Sequence, residues 1–250
     1  MKVLAIIPAR YASTRFPGKP LADIAGKSMI QRVVENVQKC TSISQILVAT
    51  DDERIYNHVQ GFGAHAVMTR VDHPSGTDRC LEAYTNIASD ADCVINVQGD
   101  EPFVDAAQLT SLIQLVSQPD ISIATLAKKI TDSSTLFDPS KVKVVFDHHS
   151  RALYFSRQAI PFLRNTAEAN WHKAHEYYKH LGLYAYKPDK LKEICALQPS
   201  ALEKAESLEQ LRWLENGFAI HVGITDIESP AIDTPEDLQA VLTRYFSSSK

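Results

Sequence analysis

Between Val3 and Val116, short apolar runs alternate with stretches of helical period, and this alternation restricts the chain more than any other feature it carries. Strands are expected at Val3–Ile7, Gln45–Ala49, Ala64–Met68 and Cys93–Val97. Helices are expected between and after them, over Ser28–Lys39, from Glu53, from Gly76 to Ala88, and over Asp105–Val116. Met29, Ile30, Val33, Val34 and Val37 fall on one helical face, as do Leu109, Leu112, Ile113 and Val116. Strands that alternate with crossover helices pair in parallel and are covered on both faces, so the expected class is α/β with a doubly wound, mostly parallel sheet.

The remainder is more mixed. Strands at Ile121–Lys128, Val142–Phe146, Ala152–Phe155, Leu181–Tyr186 and Ala219–Ile224 accompany one helix over Leu202–Leu214 and a last helix from Pro235. The polar stretch Pro161–Lys179 reads as a mobile segment or lid. At 250 residues and 44% hydrophobic content, the chain can bury a substantial core as one domain. The first apolar run is broken by Pro8 and charged by Arg10, which is too short for a signal peptide or a membrane helix. A cytoplasmic location without membrane insertion is therefore expected. A formal net charge of −4 argues against a nucleic-acid partner, because such binding neutralises many phosphates with a basic face. Cys40, Cys80, Cys93 and Cys195 have neither CxxC nor metal-ligand spacing and read as reduced thiols.

Ligands of open α/β sheets collect at the carboxyl ends of the strands. Pro8 to Pro20 follow the first strand and carry Arg10, Arg15 and Lys19 with no acidic residue among them. Prolines and Gly18 fix the backbone around Lys19, so the loop reads as an anion site, and positioned Arg and Lys are what stabilise charge on a transferring phosphoryl group. A solvated surface turn is the plain alternative. The chain lacks GxxxxGK[ST], and no GxGxxG follows the first strand, which disfavours a P-loop NTPase or a dinucleotide-binding enzyme.

Asn96-Val97-Gln98-Gly99-Asp100-Glu101-Pro102 ends the fourth strand, and Gly99 is expected to turn the backbone so that Asp100 projects. One carboxylate there suits Mg2+, which takes one or two protein carboxylates along with substrate phosphates. An acidic turn before a helix is the plain alternative, with Asp105 and Gln108 spaced as a capping box. Thr234-Pro235-Glu236-Asp237 starts a helix, with Thr234 as cap; Asp233, outside the cap, is the second metal candidate. Thr50-Asp51-Asp52-Glu53 reads as a helix start with capping-box spacing rather than as a metal site. His175-Glu176-Tyr177-Tyr178-Lys179 lacks the second histidine of a zinc HExxH. Ser75-Gly76-Thr77-Asp78-Arg79 is either a capped turn or a set of donors for the edge of a base.

The segments IIPARYASTRFPGKPL, VATDD, DHPSGTDR, NVQGDEP, VKVVFD, ALYFSR, HLGLYAY, LEQLRWLENG and DTPEDL, in this order from Ile6 to Leu238, resemble the CMP-sugar-acid synthetases and within them the 3-deoxy-manno-octulosonate (Kdo) cytidylyltransferases. The resemblance implies a Rossmann-like fold of the nucleotide-diphospho-sugar transferase type, with a smaller mixed subdomain. Residues 1–120 and 219–250 would bind nucleotide; residues 121–218 would bind the sugar acid and build a homodimer. It implies that Arg10, Ser13, Arg15 and Lys19, with Ala9, hold CTP, while Ser75, Gly76, Thr77 and Arg79 line the cytosine and ribose site. Gln98 would serve both substrates. Mg2+ would lie at Asp100 and Asp233, and the sugar acid at Arg157, His180, Tyr184, Glu209 and Gln210. Arg10, Lys19 and Asp100 would be catalytic in forming CMP-Kdo and pyrophosphate for lipopolysaccharide assembly. A sibling enzyme using 8-amino-Kdo or a sialic acid is the nearest alternative, and a non-catalytic nucleotide sensor or scaffold the more distant one.

Overall fold

The N-terminal apolar run becomes the middle of a parallel sheet. The computed structural model describes residues 1–13 and 15–246, and their contacts divide into two compact units, Met1–Thr110 with the segment from Ser229 onward, and Ser111–Glu228. The expectation from sequence had set these edges near residues 120 and 219.

In the first unit, β1 (Val3–Ala9) pairs in parallel with β4 (Gln45–Thr50) on one side and with β6 (Cys93–Asn96) on the other; two short strands, β2 (Asp23–Ile24) and β3 (Lys27–Ser28), form a separate hairpin. β5 (Ala66–Met68) extends the sheet beyond β4. Residues Val3 to Ile7 are all buried, as expected for a parallel strand covered on both faces. The helices are α1 (Met29–Gln38), α2 (Glu53–Gly61), α3 (Gly76–Asn86) and the start of α4 (Ala106–Val116), within which the boundary after Thr110 falls. The apolar stripe of α1 is buried throughout, and Ser28 caps the helix by accepting from the Gln31 amide. The chain runs outward from β1 through β4 to β5 and then returns to β6 on the far side of β1. This reversal makes the carboxyl ends of β1 and β6 the switch point at which such sheets bind ligands.

The C-terminal helix Pro235–Phe246 belongs to this unit. Ile232 and Val241 share a buried cluster with Ile24 and Met29, against which Phe16 and Phe103 pack. Thr234 and Asp237 form the expected reciprocal cap.

In the second unit, β7 (Ile123–Lys129) has β11 (His221–Ile224) parallel on one side and β10 (Tyr178–Tyr186) antiparallel on the other; β8 (Lys143–Phe146) pairs with β9 (Ala152–Ser156) and touches β10 at Lys179. Between these strands lie the short helices α5 (Ser133–Phe137), α6 (Trp171–Ala174), α7 (Pro188–Cys195), α8 (Ala201–Glu206) and α9 (Gln210–Glu215).

Three expectations are corrected here. The single helix over Leu202–Leu214 is two helices, α8 and α9, with Ser207 between them in the left-handed region at φ 51°. Leu202 and Ala205 are accordingly exposed, while Leu208 and Leu211 are buried. The supposed lid Pro161–Lys179 is anchored by Trp171 and Tyr177, which are buried in a cluster with Ile130 and Leu136. At α2 the cap is Asp52, whose carboxylate accepts from the Arg54 amide, while Thr50 accepts from the Asp52 amide.

Candidate active site

The loop after β1 is shaped by its own side chains. The carbonyl of Tyr11 accepts from the amides of both Ser13 and Gly18, and the hydroxyl of Ser13 accepts from the Phe16 amide. Gly18 adopts φ 71° with the Tyr11 ring against it, and the Arg54 guanidinium stacks on that ring at 3.3 Å from its centroid. A 3-10 turn, Lys19–Leu21, follows, so Lys19 leaves a rigid backbone.

Opposite this loop is the end of β6. The side chain of Gly99 is absent for a steric reason: a Cβ there would stand 2.7 Å from the Pro8 carbonyl oxygen. Gly99 lies outside the positive-φ region, so the expected conformational turn is replaced by a close approach of two strand ends. The Asp100 carbonyl accepts from the Ile232 amide at 2.9 Å. Ile232 is fully buried, and this anchored residue presents its neighbour Asp233 beside Asp100.

Lys19 Nζ then lies 2.7 Å from Asp100 Oδ2 and 3.2 Å from Asp233 Oδ1, with Arg15 Nη2 also 3.2 Å from Asp233 Oδ1. Two carboxylates aimed at one cation are the donor set a magnesium ion takes when phosphate oxygens fill its other positions, so the residues fit such an ion. Among the described residues no group of three or more His, Cys, Asp or Glu side chains could hold a metal, which leaves this pair dependent on ligand oxygens.

Around it is a cleft of about 360 Å³, within the size range of small-molecule sites. Ala9, Arg10, Ser13, Arg15, Lys19, Ser75, Gly76, Arg79, Gln98, Asp100 and Asp233 line it. Thr77 does not: it is 3% exposed and faces the interior of the unit. Arg79 is held by Thr69 Oγ1 at 2.6 Å and by Asp51 Oδ2 at 3.0 Å, so its charge is already compensated. Asp51 thereby has a structural partner, consistent with the reading of Thr50–Glu53 as structure. Ser75 caps α3 by accepting from the Asp78 amide and donates to the Asp78 carboxylate. His73 lines the same cleft and is hydrogen-bonded to Glu82. Sequence reading passed over His73, because a lone histidine before a capped turn carries no periodic or motif signal.

The remaining predicted residues lie in the second unit. The rings of His180 and Tyr184 are 5.4 Å apart, and Tyr184 stands edge-on to Trp213 at 5.2 Å. They meet because β10 bulges: its register against β7 passes from Leu181 directly to Tyr184 while β7 advances by one residue. Thr125 Oγ1 lies 2.8 and 3.2 Å from the carbonyls of Leu183 and Leu181 and 3.0 Å from His180 Nε2. A hydroxyl spending its proton on a carbonyl accepts from the ring, which puts the neutral imidazole's proton on Nε2. Part of the His180 surface is accessible, yet the ring sits among Phe155, Tyr184 and Thr125, and this burial pushes it down to about 3. Burial, aided by the charge of Glu209, holds the Tyr184 phenol well above its ordinary value. Gln210 is buried in α9, and Glu209 precedes that helix rather than riding on the face of a longer one.

Arg157 is half-buried. Its amide donates to the Glu206 carboxylate, and its guanidinium donates to the carbonyls of Glu206, Ser207 and Pro139 at 2.7, 3.3 and 3.2 Å. The fork expected to grip a substrate carboxylate is thus largely spent on the backbone around the α8–α9 break.

A family model described as cytidylyltransferase matches residues 4–227. The chain belongs to the cytidylyltransferase family. Among relatives of this cytidylyltransferase, the 3-deoxy-manno-octulosonate cytidylyltransferases of Cytophaga hutchinsonii and Bacteroides thetaiotaomicron are 54% and 55% identical, each over 96% of both chains. The 8-amino-3,8-dideoxy-manno-octulosonate cytidylyltransferase of Shewanella halifaxensis is 47% identical over the same shares. A solved CMP:2-keto-3-deoxy-manno-octonic acid synthetase, complexed with CTP, superimposes with a TM-score of 0.90 at 43% identity, covering 97% of this chain and 98% of that one. The α/β class expected from the alternating pattern and the nucleotidyltransferase fold implied by the resemblance are therefore those of this cytidylyltransferase.

Proposed function

We propose that this cytidylyltransferase joins CTP to Kdo, giving CMP-Kdo and pyrophosphate. The observation that carries the nucleotide half is the convergence of Lys19, Asp100 and Asp233 in a cleft that also receives Arg10, Arg15 and the N-terminus of α3. Bound there, Mg2+ would neutralise phosphate oxygens and act as a Lewis acid on the reacting phosphoryl group. Asp100 and Asp233 would hold it. The chain's own cations do the rest: Lys19 and Arg10 meet the charge that builds on the phosphate in flight and on the departing pyrophosphate, and Arg15 meets the outer phosphates. The first amides of α3, beside Ser75 and Gly76, offer donors to the nucleoside. Gln98, two residues beyond β6, would serve both the nucleotide and the sugar acid. Since the anomeric hydroxyl of the acid is itself the nucleophile, the protein needs no covalent intermediate, and positioning supplies much of the rate.

The sugar-acid half is supported by the relatives' substrates and by the polar, aromatic cluster of His180, Tyr184, Glu209 and Gln210. A neutral His180 and a protonated Tyr184 are hydrogen-bonding groups suited to sugar hydroxyls. Arg157 would act there by shaping the loop around Glu206 and Ser207, or by exchanging a backbone carbonyl for the substrate carboxylate. A homodimer formed through the second unit, a cytoplasmic location and a place in lipopolysaccharide assembly complete the reading. The 8-amino acid is the second reading, because a relative acting on it matches over the same length.

Pyrophosphate release from CTP and Mg2+, with Kdo, 8-amino-Kdo and a sialic acid offered in parallel, tests the assignment. Turnover with Kdo well above the other two is expected. Turnover of the 8-amino acid or the sialic acid without turnover of Kdo would reassign the substrate, and no release with any of them would leave a nucleotide-binding protein without transferase activity.

A further inference from the structure

Lys19 occupies a position that two tasks compete for. Its ammonium bridges Asp100 and Asp233 at 2.7 and 3.2 Å, with only 14% of the side chain exposed, and Arg15 adds a second contact to the same Asp233 oxygen. Both carboxylates of the candidate metal pair are therefore already neutralised by the protein's own cations. A divalent ion entering alone would have to displace an ammonium held by both carboxylates, and would then sit beside it as a like charge. A polyphosphate changes this balance. It offers Lys19 and Arg15 a denser negative charge in the same cleft, and the carboxylates are released to the metal as the cations turn to the phosphates.

We propose that Lys19 is the built-in counter-ion of the Asp100–Asp233 pair, so that a divalent cation binds there weakly alone and more tightly together with a polyphosphate that draws Lys19 away. The inference rests on the reading that nucleotide phosphates and a divalent cation share this cleft. Its consequence is a reciprocal coupling: the nucleotide raises the metal affinity of the pair, and the metal raises the nucleotide affinity by the same factor. Such a device would keep the acidic pair from collecting free cations that lack a nucleotide. It assigns Lys19 a role before the chemistry begins, in addition to its role during phosphoryl transfer.

Binding of Mn2+ to the full chain, followed by the electron paramagnetic resonance signal of the free ion, reads the coupling without turnover. In wild type, a non-hydrolysable CTP analogue should tighten Mn2+ binding by about tenfold to a hundredfold. Lys19→Met should tighten the binding of Mn2+ alone by about tenfold or more, on the same coupling scale; Lys19→Gln serves if the methionine variant does not fold. Lys19→Arg keeps the charge and should stay at the wild-type level, and adding Asp233→Asn to Lys19→Met should abolish the gain. Unchanged affinity for Mn2+ alone in both uncharged variants would overturn the proposal, as would equal Mn2+ affinity in wild type with and without the analogue. If Asp100→Asn and Asp233→Asn leave Mn2+ affinity unchanged in the presence of the analogue, the metal is not at this pair and the metal-site reading falls along with the inference.

Discussion

Gly99 shows how much of the site depends on one missing methyl group. Because its Cβ would lie 2.7 Å from the Pro8 carbonyl oxygen, Gly99→Ala must push apart the ends of β1 and β6, the two strands that carry the basic loop and Asp100. Overpacking against backbone should cost about 1–3 kcal/mol of stability, read from urea unfolding, and should also lower kcat/KM for CTP. Gly76 is the control: its Cβ would meet the Pro8 side chain at 3.4 Å, an ordinary contact, so Gly76→Ala should stay within about 1 kcal/mol of wild type. Equal stability losses in both variants would remove the close approach as the reason for Gly99. His180 makes a prediction of a different kind. Folded, its ring takes a proton only near 3, against 6.5 ordinarily, so between these values the unfolded chain binds more protons and stability rises with pH. The contribution is fully present above pH 6.5 and is lost as pH falls toward 3. Wild type should therefore lose up to about 1.4 kcal/mol per pH unit more than His180→Gln over this window. Parallel urea-derived stabilities of the two proteins from pH 7 to 5 would refute it.

The elements themselves were legible where one period governs a long enough stretch. β1, α1, β4 and the C-terminal helix fall within a residue or two of their expected bounds, because buried parallel strands and capped amphipathic helices write their signals locally. Lys19, Asp100 and Asp233 could be named from sequence because the first two follow strand ends and Asp233 directly precedes a helix cap. What could not be read depends on partners far along the chain. The α8–α9 break is the clearest case: residues 203 and 212 in one straight helix would be separated by about 13.5 Å of rise and would face opposite ways. The break at Ser207 brings them together, and Arg212 grips Glu203 through two nitrogens at 2.5 and 2.7 Å with both side chains nearly buried. The helical pattern of Leu202–Leu214 is real, but this ion pair and the demand of Arg157 for the Glu206 and Ser207 carbonyls override it. The bulge in β10 was likewise invisible. In a regular strand His180 and Tyr184 would lie about 13–14 Å apart, and Thr125 supplies the hydroxyl that lets them approach. Glu203→Ala should strand a buried guanidinium and cost about 3–5 kcal/mol. Glu203→Leu combined with Arg212→Met removes both charges and should recover most of that loss in chemical unfolding. No recovery would mean that the pair does more than neutralise itself, for instance by fixing the turn at Ser207.

At the scale of the whole molecule, the two units divide the chemistry by residue type. The first collects fixed charges, Arg10, Arg15, Lys19, Asp100 and Asp233, around the end of a parallel sheet. The second collects neutral polar and aromatic groups, His180, Tyr184 and Trp213, around a bulged antiparallel pair, and buries Gln210 in α9. This partition suits the two substrates in the proposed reaction: a polyphosphate needs charge, whereas the hydroxyls of a sugar acid need hydrogen-bonding groups, and the charged Arg157 and Glu209 lie in the second unit as well. Hydrogen exchange can separate the two roles, because a ligand raises the opening free energy of the segments it contacts in the folded state. CTP with Mg2+ should slow exchange around Tyr11–Lys19, Ser75–Arg79 and Gln98–Asp100, and at Asp233. Adding Kdo to the protein with a non-reactive CTP analogue should then slow exchange around Arg157, Leu181–Tyr184 and Glu206–Gln210. The amide of Arg157 is informative, since it donates to the Glu206 carboxylate and would report any rearrangement of its guanidinium contacts. The assignment of roles predicts that the nucleotide leaves this second set unprotected when it binds alone. Protection by Kdo confined to the first unit would remove His180, Tyr184, Glu209 and Gln210 from the sugar-acid site, and their packing would then be a feature of folding alone.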